Sequence, residues 1–377
     1  MKVKIVRFIK QEAVLCAALA LAAVSMVFVR PDAGYLGYID FRTLAILFCL
    51  MGVMAGLQKT GLFQWVAQTF LSRVRRAWQL SLALVLLCFF SSMFITNDVA
   101  LITFVPFTLT VLGLAGEKIK ARLLIPTVVL QTIAANLGSM LTPIGNPQNL
   151  YLYGKSGMTV AQFTGLMLPY AAVSLVILAA WSLLQARTYK APVQVSFSEE
   201  PKLSEKPLRL AAYAALFCVN LLAVVRAVPW PAALGVTVLG LLLADKTIFC
   251  HIDYSLLLTF VGFFIFIGNM GRLPEFESLL QQIVSGNEVL AGVAASQVIS
   301  NVPAALLLSG FTENFSALTV GVNLGGLGTL IASMASLISY KLVVRRENGI
   351  GGTYLRYFTL ANVSFLGVLL LFFWVFG

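Results

Sequence analysis

Two short polar stretches interrupt apolar runs and carry the residue types that could do chemistry. The first is Thr96-Asn97-Asp98, inside the run from Phe94 to Ala100; the second is Ser300-Asn301, inside the run from Val298 to Ala304. Asp98 is the one acidic residue the pattern places deep within an apolar segment. Charges and uncapped backbone are costly in hydrocarbon, so such breaks imply a binding role rather than an accident of packing. Amide side chains at both breaks suit contact with a small solute or ion, which points to Asn97 and Asn301. Asp98 suits uptake of a proton or a cation. Its plainer role is to cap the helix that follows, since Asp and Asn at a helix start satisfy free N–H groups.

Two further segments concentrate polar and helix-breaking residues. Ala135 to Asn149 holds Asn136, Gly138, Ser139, Thr142, Pro143, Gly145, Asn146 and Pro147; Asn323 to Thr329 holds Asn323, Gly325, Gly326 and Thr329. Proline removes a backbone donor and glycine weakens a helix, so both segments read as unwound. Unwound backbone in lipid survives only where it lines a cavity or is packed in protein. Asn136 and Asn323 have a plainer role too, which is to satisfy backbone groups freed by the breaks.

Other chemistry has little to work with. Cys16, Cys49, Cys88, Cys218 and Cys250 are far apart and show no metal-ligand spacing, so burial as small hydrophobes is expected. The single histidine, His251, lies beside Asp253 at the edge of an apolar segment and reads as interfacial. The residues for nucleophilic-triad or zinc catalysis are not assembled, and the expectation is a protein that is not an enzyme.

The elements that must position these residues follow from composition. Of the 377 residues, 59% are hydrophobic and 11% charged, with a mean hydropathy of +0.92. Apolar runs of helical length recur from end to end, which gives an all-α polytopic membrane protein with about nine full spans. The formal net charge of +11 does not make a nucleic-acid-binding stripe. Arg73, Arg75 and Arg76 precede the first break and Lys118, Lys120 and Arg122 follow it, while Lys2, Lys4, Arg7 and Lys10 precede the first span. Placing the N-terminus in the cytoplasm puts all but five of the 26 Lys and Arg inside, as the positive-inside rule requires. The basic start suits an intact N-terminus better than a removable signal peptide.

Along the chain, two spans and an amphipathic stretch (61–71) lead to the first break region, 78–115. Its arms of about 17 residues reach roughly 25 Å, short of the ~30 Å hydrocarbon core, so a re-entrant hairpin is expected rather than two complete spans. A broken helix at 122–153 and a span at 164–185 complete a first repeat, residues 1–187. A cytoplasmic loop and linker helix occupy 188–226. The second repeat, 227–377, has the same order, with its hairpin at 287–310 and its broken helix at 315–341. Placing Asn136 on Asn323 also pairs Gly138 with Gly325 and Thr142 with Thr329. Equal numbers of spans on either side of one linker span give the halves opposite orientations. Inverted repeats with paired discontinuous helices are a transporter signature.

Three motifs carry a family resemblance: Thr96-Asn97-Asp98-Val99-Ala100-Leu101, Leu141-Thr142-Pro143-Ile144-Gly145-Asn146-Pro147-Gln148-Asn149, and Ser296-Gln297-Val298-Ile299-Ser300-Asn301-Val302-Pro303. With them the chain resembles the ion transporter superfamily, which includes citrate transporter-like proteins, arsenite pumps and sodium-proton antiporters, and is most similar to the short YbiR-type bacterial permeases. The resemblance covers essentially the whole chain. It implies a substrate enclosed by two hairpin tips, Thr96, Asn97, Asp98 and Ser300, Asn301, Val302, together with Gly138, Ser139, Thr142, Gly145 and Asn146 from one broken helix and Gly325, Gly326 and Thr329 from the other. It implies a homodimer in a bacterial or archaeal cytoplasmic membrane. A dicarboxylate branch has Ser-Asn-Thr at each tip; here the third positions are Asp98 and Val302, and an aspartate would repel a dianion unless neutralised. The expected function is a permease for a small anion or oxyacid, coupled to protons or to sodium held near Asn97, Asp98, Gly138 and Asn301. The alternative is a sodium/proton antiporter centred on Asp98. No other cofactor is expected, and the partners are the small substrate and the lipid bilayer, not nucleic acid.

Overall fold

A computed structural model describes residues 12–72, 74–187, 192–193 and 207–376. The basic residues Lys2, Lys4, Arg7 and Lys10, as well as Arg73 and most of the polar loop before Pro207, lie outside the described residues. The described chain is helical, with one isolated bridge between Arg76 and Pro192.

The first part contains α1 (Ala13–Phe28), α2 (Phe41–Lys59), α3 (Leu62–Leu71), α4 (Ala77–Ile95), α5 (Asn97–Leu114), α6 (Glu117–Ser139), α7 (Pro147–Ser156) and α8 (Val160–Arg187). After α9 (Pro207–Val224) come α10 (Trp230–Asp245), α11 (Tyr254–Met270), α12 (Pro274–Val284), α13 (Glu288–Ile299), α14 (Asn301–Leu308), α15 (Phe315–Leu324), α16 (Met334–Arg346) and α17 (Gly351–Phe376). Eight helices are long and apolar enough to cross a membrane, or nine if α11 and α12, bent by 108° at their junction, count as one. This is a polytopic all-α membrane protein.

The two hairpins differ in length. The arms α4 and α5 have 19 and 18 residues, longer than the sequence pattern suggests, and each is long enough by itself to cross a membrane. The arms α13 and α14 have only 12 and 8 residues, about 18 and 12 Å of helix at 1.5 Å per residue, and neither reaches across. The difference arises at the outer ends of the arms, because both hairpins turn on a single residue.

Packing brings the interrupted elements together. Helix α1 lies against α11, and α10 lies against α2. The hairpin α4–α5 packs on α6, and α13–α14 packs on α15; α5 also meets α16, and α14 meets α7. Each hairpin therefore touches both broken helices. Helices α2 and α11 start alike: Asp40 (φ −79°, ψ 84°) accepts from Thr43 N, and Asp253 (φ −79°, ψ 85°) accepts from Leu256 N. A carboxylate at the N-cap satisfies an orphan donor and fixes where each helix begins.

Outside the helices, Arg272 Nη1 binds Asp32 Oδ2 at 2.6 Å, tying the loop after α1 to the turn after α11. The guanidinium holds the Asp32 carboxyl below its ordinary value.

Candidate functional site

Thr96 is the only residue between α4 and α5, and Ser300 the only one between α13 and α14. Their backbones are nearly the same, φ 67°, ψ 153° and φ 75°, ψ 154°. This region is essentially reserved for glycine, and a side chain there costs about 1–3 kcal/mol. Among the described residues, only Arg226 is a further non-glycine with positive φ. Strain at both tips and almost nowhere else marks them as positions where the surroundings enforce a special geometry.

Those surroundings are the breaks in α6–α7 and α15–α16. Asn97 N donates to Gly145 O at 3.2 Å, and Asn301 N donates to Ala332 O at 2.9 Å. Thr142 Oγ1 donates to Met93 O, and Thr329 Oγ1 donates to Gln297 O at 3.2 Å. Met93 and Gln297 each lie three residues before their tip, and Gly145 and Ala332 each lie three residues after their threonine. The same two stitches thus hold each tip to its break.

Asn136 and Asn323 reach across rather than serving only their own helices. Asn136 Oδ1 accepts from Asn97 Nδ2 at 3.0 Å and from Ser333 Oγ at 3.0 Å. Asn323 Oδ1 accepts from Asn146 Nδ2 at 3.2 Å, and Asn323 Nδ2 donates to Asn149 Oδ1 at 2.7 Å. All of these side chains except that of Asn97's neighbour Asp98 are nearly inaccessible, and a satisfied buried network of this kind specifies a unique packing. Carbonyls freed by unwinding are taken up locally. Asn149 Nδ2 donates to Ser139 O, Met140 O and Thr142 O, while Gln297 Nε2 donates to Gly325 O and Leu327 O.

The expected glycines act by close approach. A Cβ on Gly138 would collide with Phe89 O and Ser92 Oγ of α4, and one on Gly325 would meet Ser296 Oγ of α13 at 2.6 Å. Both press a broken helix onto its hairpin and neither lines a cavity between the tips. Gly326 lies 2.9 Å, by its would-be Cβ, from Asn301 Nδ2.

Between the tips lies a small cavity of about 10 Å³ lined by Asn97, Asp98, Gln148, Asn301, Val302 and Ser333, with Pro147, Leu256 and Met334. Four helices begin on it: α5 at Asn97, α7 at Pro147, α14 at Asn301 and α16 at Met334. Helix N-termini carry partial positive charge and unpaired N–H groups, so their convergence favours an anionic or oxygen-rich group. The one charged residue lining it is Asp98, in the first turn of α5. Its plainer role fails here: Asn97 Oδ1, not the Asp98 carboxylate, accepts from the Asp98 N–H at 2.9 Å, and Asp98 Oδ1 is buried without a hydrogen-bond partner. Gln148 Oε1 is likewise buried and unpartnered. An unmet buried acceptor costs about 1–3 kcal/mol, so two on one cavity call for an explanation.

Larger cavities flank the small one. The first, about 190 Å³, is lined by Gln58, Thr96, Asp98, Asn146, His251 and Asp253 among apolar residues. The second, about 250 Å³, carries Ser300, Val302, Ser333, Thr259, Glu12 and Asp253. Asp253 and Leu256 line both. His251 is exposed, as its interfacial reading anticipates, with Nδ1 2.9 Å from Thr247 O, yet it lies on the cavity that ends at Asp98.

Comparison with known proteins agrees with this architecture. Residues 7–317 match the family described as "Citrate transporter". The chain belongs to the citrate transporter family. Within that assignment, it is 31% identical over 315 residues to the inner membrane protein YbiR of Escherichia coli, covering 82% of each chain. It is 32% identical over 308 residues to the uncharacterized transporter MJ0456 of Methanocaldococcus jannaschii, covering 81% of each. A partial likeness, 31% over 183 residues and 46% of this chain, links it to the mouse P protein.

For this citrate transporter family member, the sequence reading placed Thr96, Asn97, Asp98, Asn146, Ser300, Asn301 and Val302 where they line cavities at the tips. Asn136, Ser139, Thr142, Asn323 and Thr329 form the scaffold behind them, as do the glycines. The reading missed Gln148, Gln297 and Asp253. The signal for Gln148 was present: a polar residue one place after Pro147, where a half-helix begins inside an apolar segment.

Proposed function

We propose that this protein is a secondary active transporter that moves a small anion or oxyacid across the cytoplasmic membrane of a bacterium or archaeon, coupled to protons or sodium. The observation that carries this reading is the convergence of four helix N-termini on one cavity that also holds Asp98. The N-termini attract the substrate's oxygens. Asp98 repels them until a proton or a cation neutralises it, which ties substrate binding to the coupling ion.

The architecture we propose is an inverted repeat with the N-terminus in the cytoplasm, acting as a homodimer by alternating access. Support comes from the paired geometry of Thr96 with Ser300, the paired stitches from Asn97 and Asn301, and the reciprocal packing of α1 on α11 and α10 on α2. Of the residues expected near sodium, Asp98 and Asn301 line the cavity with oxygens free of the asparagine network. Asn97 is committed to Asn136 and Asp98, and Gly138 to the hairpin. The unpartnered Asp98 oxygen favours a second reading, sodium/proton antiport, in which this carboxylate alone exchanges the two cations.

Thermal-shift titration of the purified protein against citrate, succinate, sulfate, arsenite and sodium at two pH values separates these readings. Stabilisation by an anion or oxyacid supports the permease; stabilisation by sodium alone supports the antiporter. A protein that responds to none of them contradicts both.

A further inference from the structure

Gln148 stands apart from every other amide at the site. It is the second residue of α7, 1% exposed, and held in place by Pro147 before it and by the Asn146 cap, whose Oδ1 accepts from Asn149 N at 2.9 Å. Its neighbours' amides are occupied: Asn97 by Asn136, Asn146 by Ser139 and Asn323, and Asn149 by three carbonyls and Asn323. Gln148 Oε1 meets no donor among the described residues, although it is buried beside the cavity between the tips.

The unmet groups at this cavity share one character. Gln148 Oε1 and Asp98 Oδ1 are both acceptors, and both are buried and unpartnered. The helix N-termini around them supply donors. A fully ionised oxyanion brings only acceptor oxygens; it would satisfy the N–H groups and leave both side-chain oxygens facing lone pairs. An oxyacid that keeps at least one hydroxyl brings both kinds of oxygen and can satisfy both sets.

We propose that Gln148 contacts the transported molecule directly and selects for a hydroxyl-bearing, protonated oxyacid, whose O–H donates to Gln148 Oε1. This rests on the reading of the inter-tip cavity as the transport site. The remaining oxygens of the acid face the starts of α5, α7, α14 and α16. A site built to hydrogen-bond a hydroxyl discriminates strongly against analogues that lack it, because its buried acceptor is then left unmet. Discrimination therefore lies in the protonation state of the acid as much as in its shape.

The test uses the full-length protein and thermal-shift titrations at neutral pH, with three probes. Boric acid and arsenous acid are neutral and fully hydroxylated under these conditions; sulfate carries no hydroxyl. Gln148→Met, similar in volume, is expected to weaken apparent affinity for the hydroxylated probes by about tenfold, the scale of one lost hydrogen bond, while sulfate and sodium responses stay as in the wild type. Should that variant fail to fold, Gln148→Glu keeps the shape. Its binding of the hydroxylated probes is expected to weaken as pH rises and the new carboxyl ionises beside Asp98. Unchanged affinity for the hydroxylated probes in a folded variant overturns the proposal, as does equal weakening for all ligands. A wild type that binds sulfate or sodium but no hydroxylated probe overturns this proposal alone. A wild type that binds nothing overturns the transport reading beneath it.

Discussion

Asn97 Nδ2 lies 3.0 Å from Asn136 Oδ1, so the first residue of a hairpin arm is bonded to the middle of the broken helix behind it. The same Asn136 oxygen accepts from Ser333, at the start of α16 in the other half of the chain. One amide thus joins a tip, its own break and the opposite break. Replacing it leaves Asn97 and Ser333 donors unmet in a buried setting. Asn136→Ala is expected to lower stability by about 2–3 kcal/mol, read as a drop in melting temperature in detergent. A change below half of that would mean the network carries little of the packing.

Strain at the tips makes the opposite prediction. Thr96 and Ser300 occupy backbone conformations that suit glycine. Thr96→Gly is expected to raise stability by up to about 1 kcal/mol, since relief of strain exceeds the added entropy of the unfolded chain. Thr96→Val, branched at the same strained position, tests whether the threonine shape alone is tolerated; its stability is expected to fall no further than that of Thr96→Ala. A melting temperature for Thr96→Gly several degrees below wild type would contradict the account.

How much of this was legible beforehand follows from which forces decide each feature. Helix positions were legible because apolar length and Pro or Gly breaks are local properties: the junctions at Thr96 and Ser300 and the breaks after Ser139 and Leu324 fall inside the expected segments. The matched orientation of the two halves drew on charge placement, and the lysines and arginines before Ala13 and after Arg187 lie outside the described residues. What stayed hidden was the division of labour among asparagines. Nothing in the residue order says that Asn323 binds Asn149 while Asn136 binds Ser333, because those bonds join positions far apart in the chain. Gln148 was hidden for the same reason: a side chain's lack of partners is visible only when all its neighbours are placed.

The two close-approach glycines differ in what a side chain would meet. At Gly138 a Cβ runs into a backbone carbonyl, Phe89 O, which cannot swing away. At Gly325 the nearest atom is the Ser296 hydroxyl, which can rotate. Gly138→Ala is therefore expected to destabilise by about 1–3 kcal/mol or to prevent folding, and Gly325→Ala by less. Chemical denaturation or thermal melting of both variants checks the order, and the reverse order would count against the hairpin contact.

The Asp32–Arg272 pair gives a pH signature outside the membrane-spanning segments. Its guanidinium holds the Asp32 carboxyl below the ordinary value of 3.8. A depressed carboxyl pKa stabilises the folded state above the unfolded value and loses that contribution as pH falls through the folded one. Wild-type melting temperature is therefore expected to fall below that pH by more than that of Asp32→Asn, with the two curves running parallel above it. The pair is exposed, so the difference is small and shrinks with added salt. Curves that remain parallel throughout would show that the pair contributes nothing.

The central claim is that Asp98, the one charge among the four helix starts, couples ion and substrate. Flux through proteoliposomes bearing wild-type or Asp98→Asn protein, measured across pH and with and without sodium, tests it most directly. The account predicts that Asp98→Asn abolishes coupled flux or removes its dependence on pH and sodium, because an amide keeps the shape but takes up neither a proton nor a cation's charge. Flux in Asp98→Asn with the same pH and sodium dependence as the wild type would contradict it.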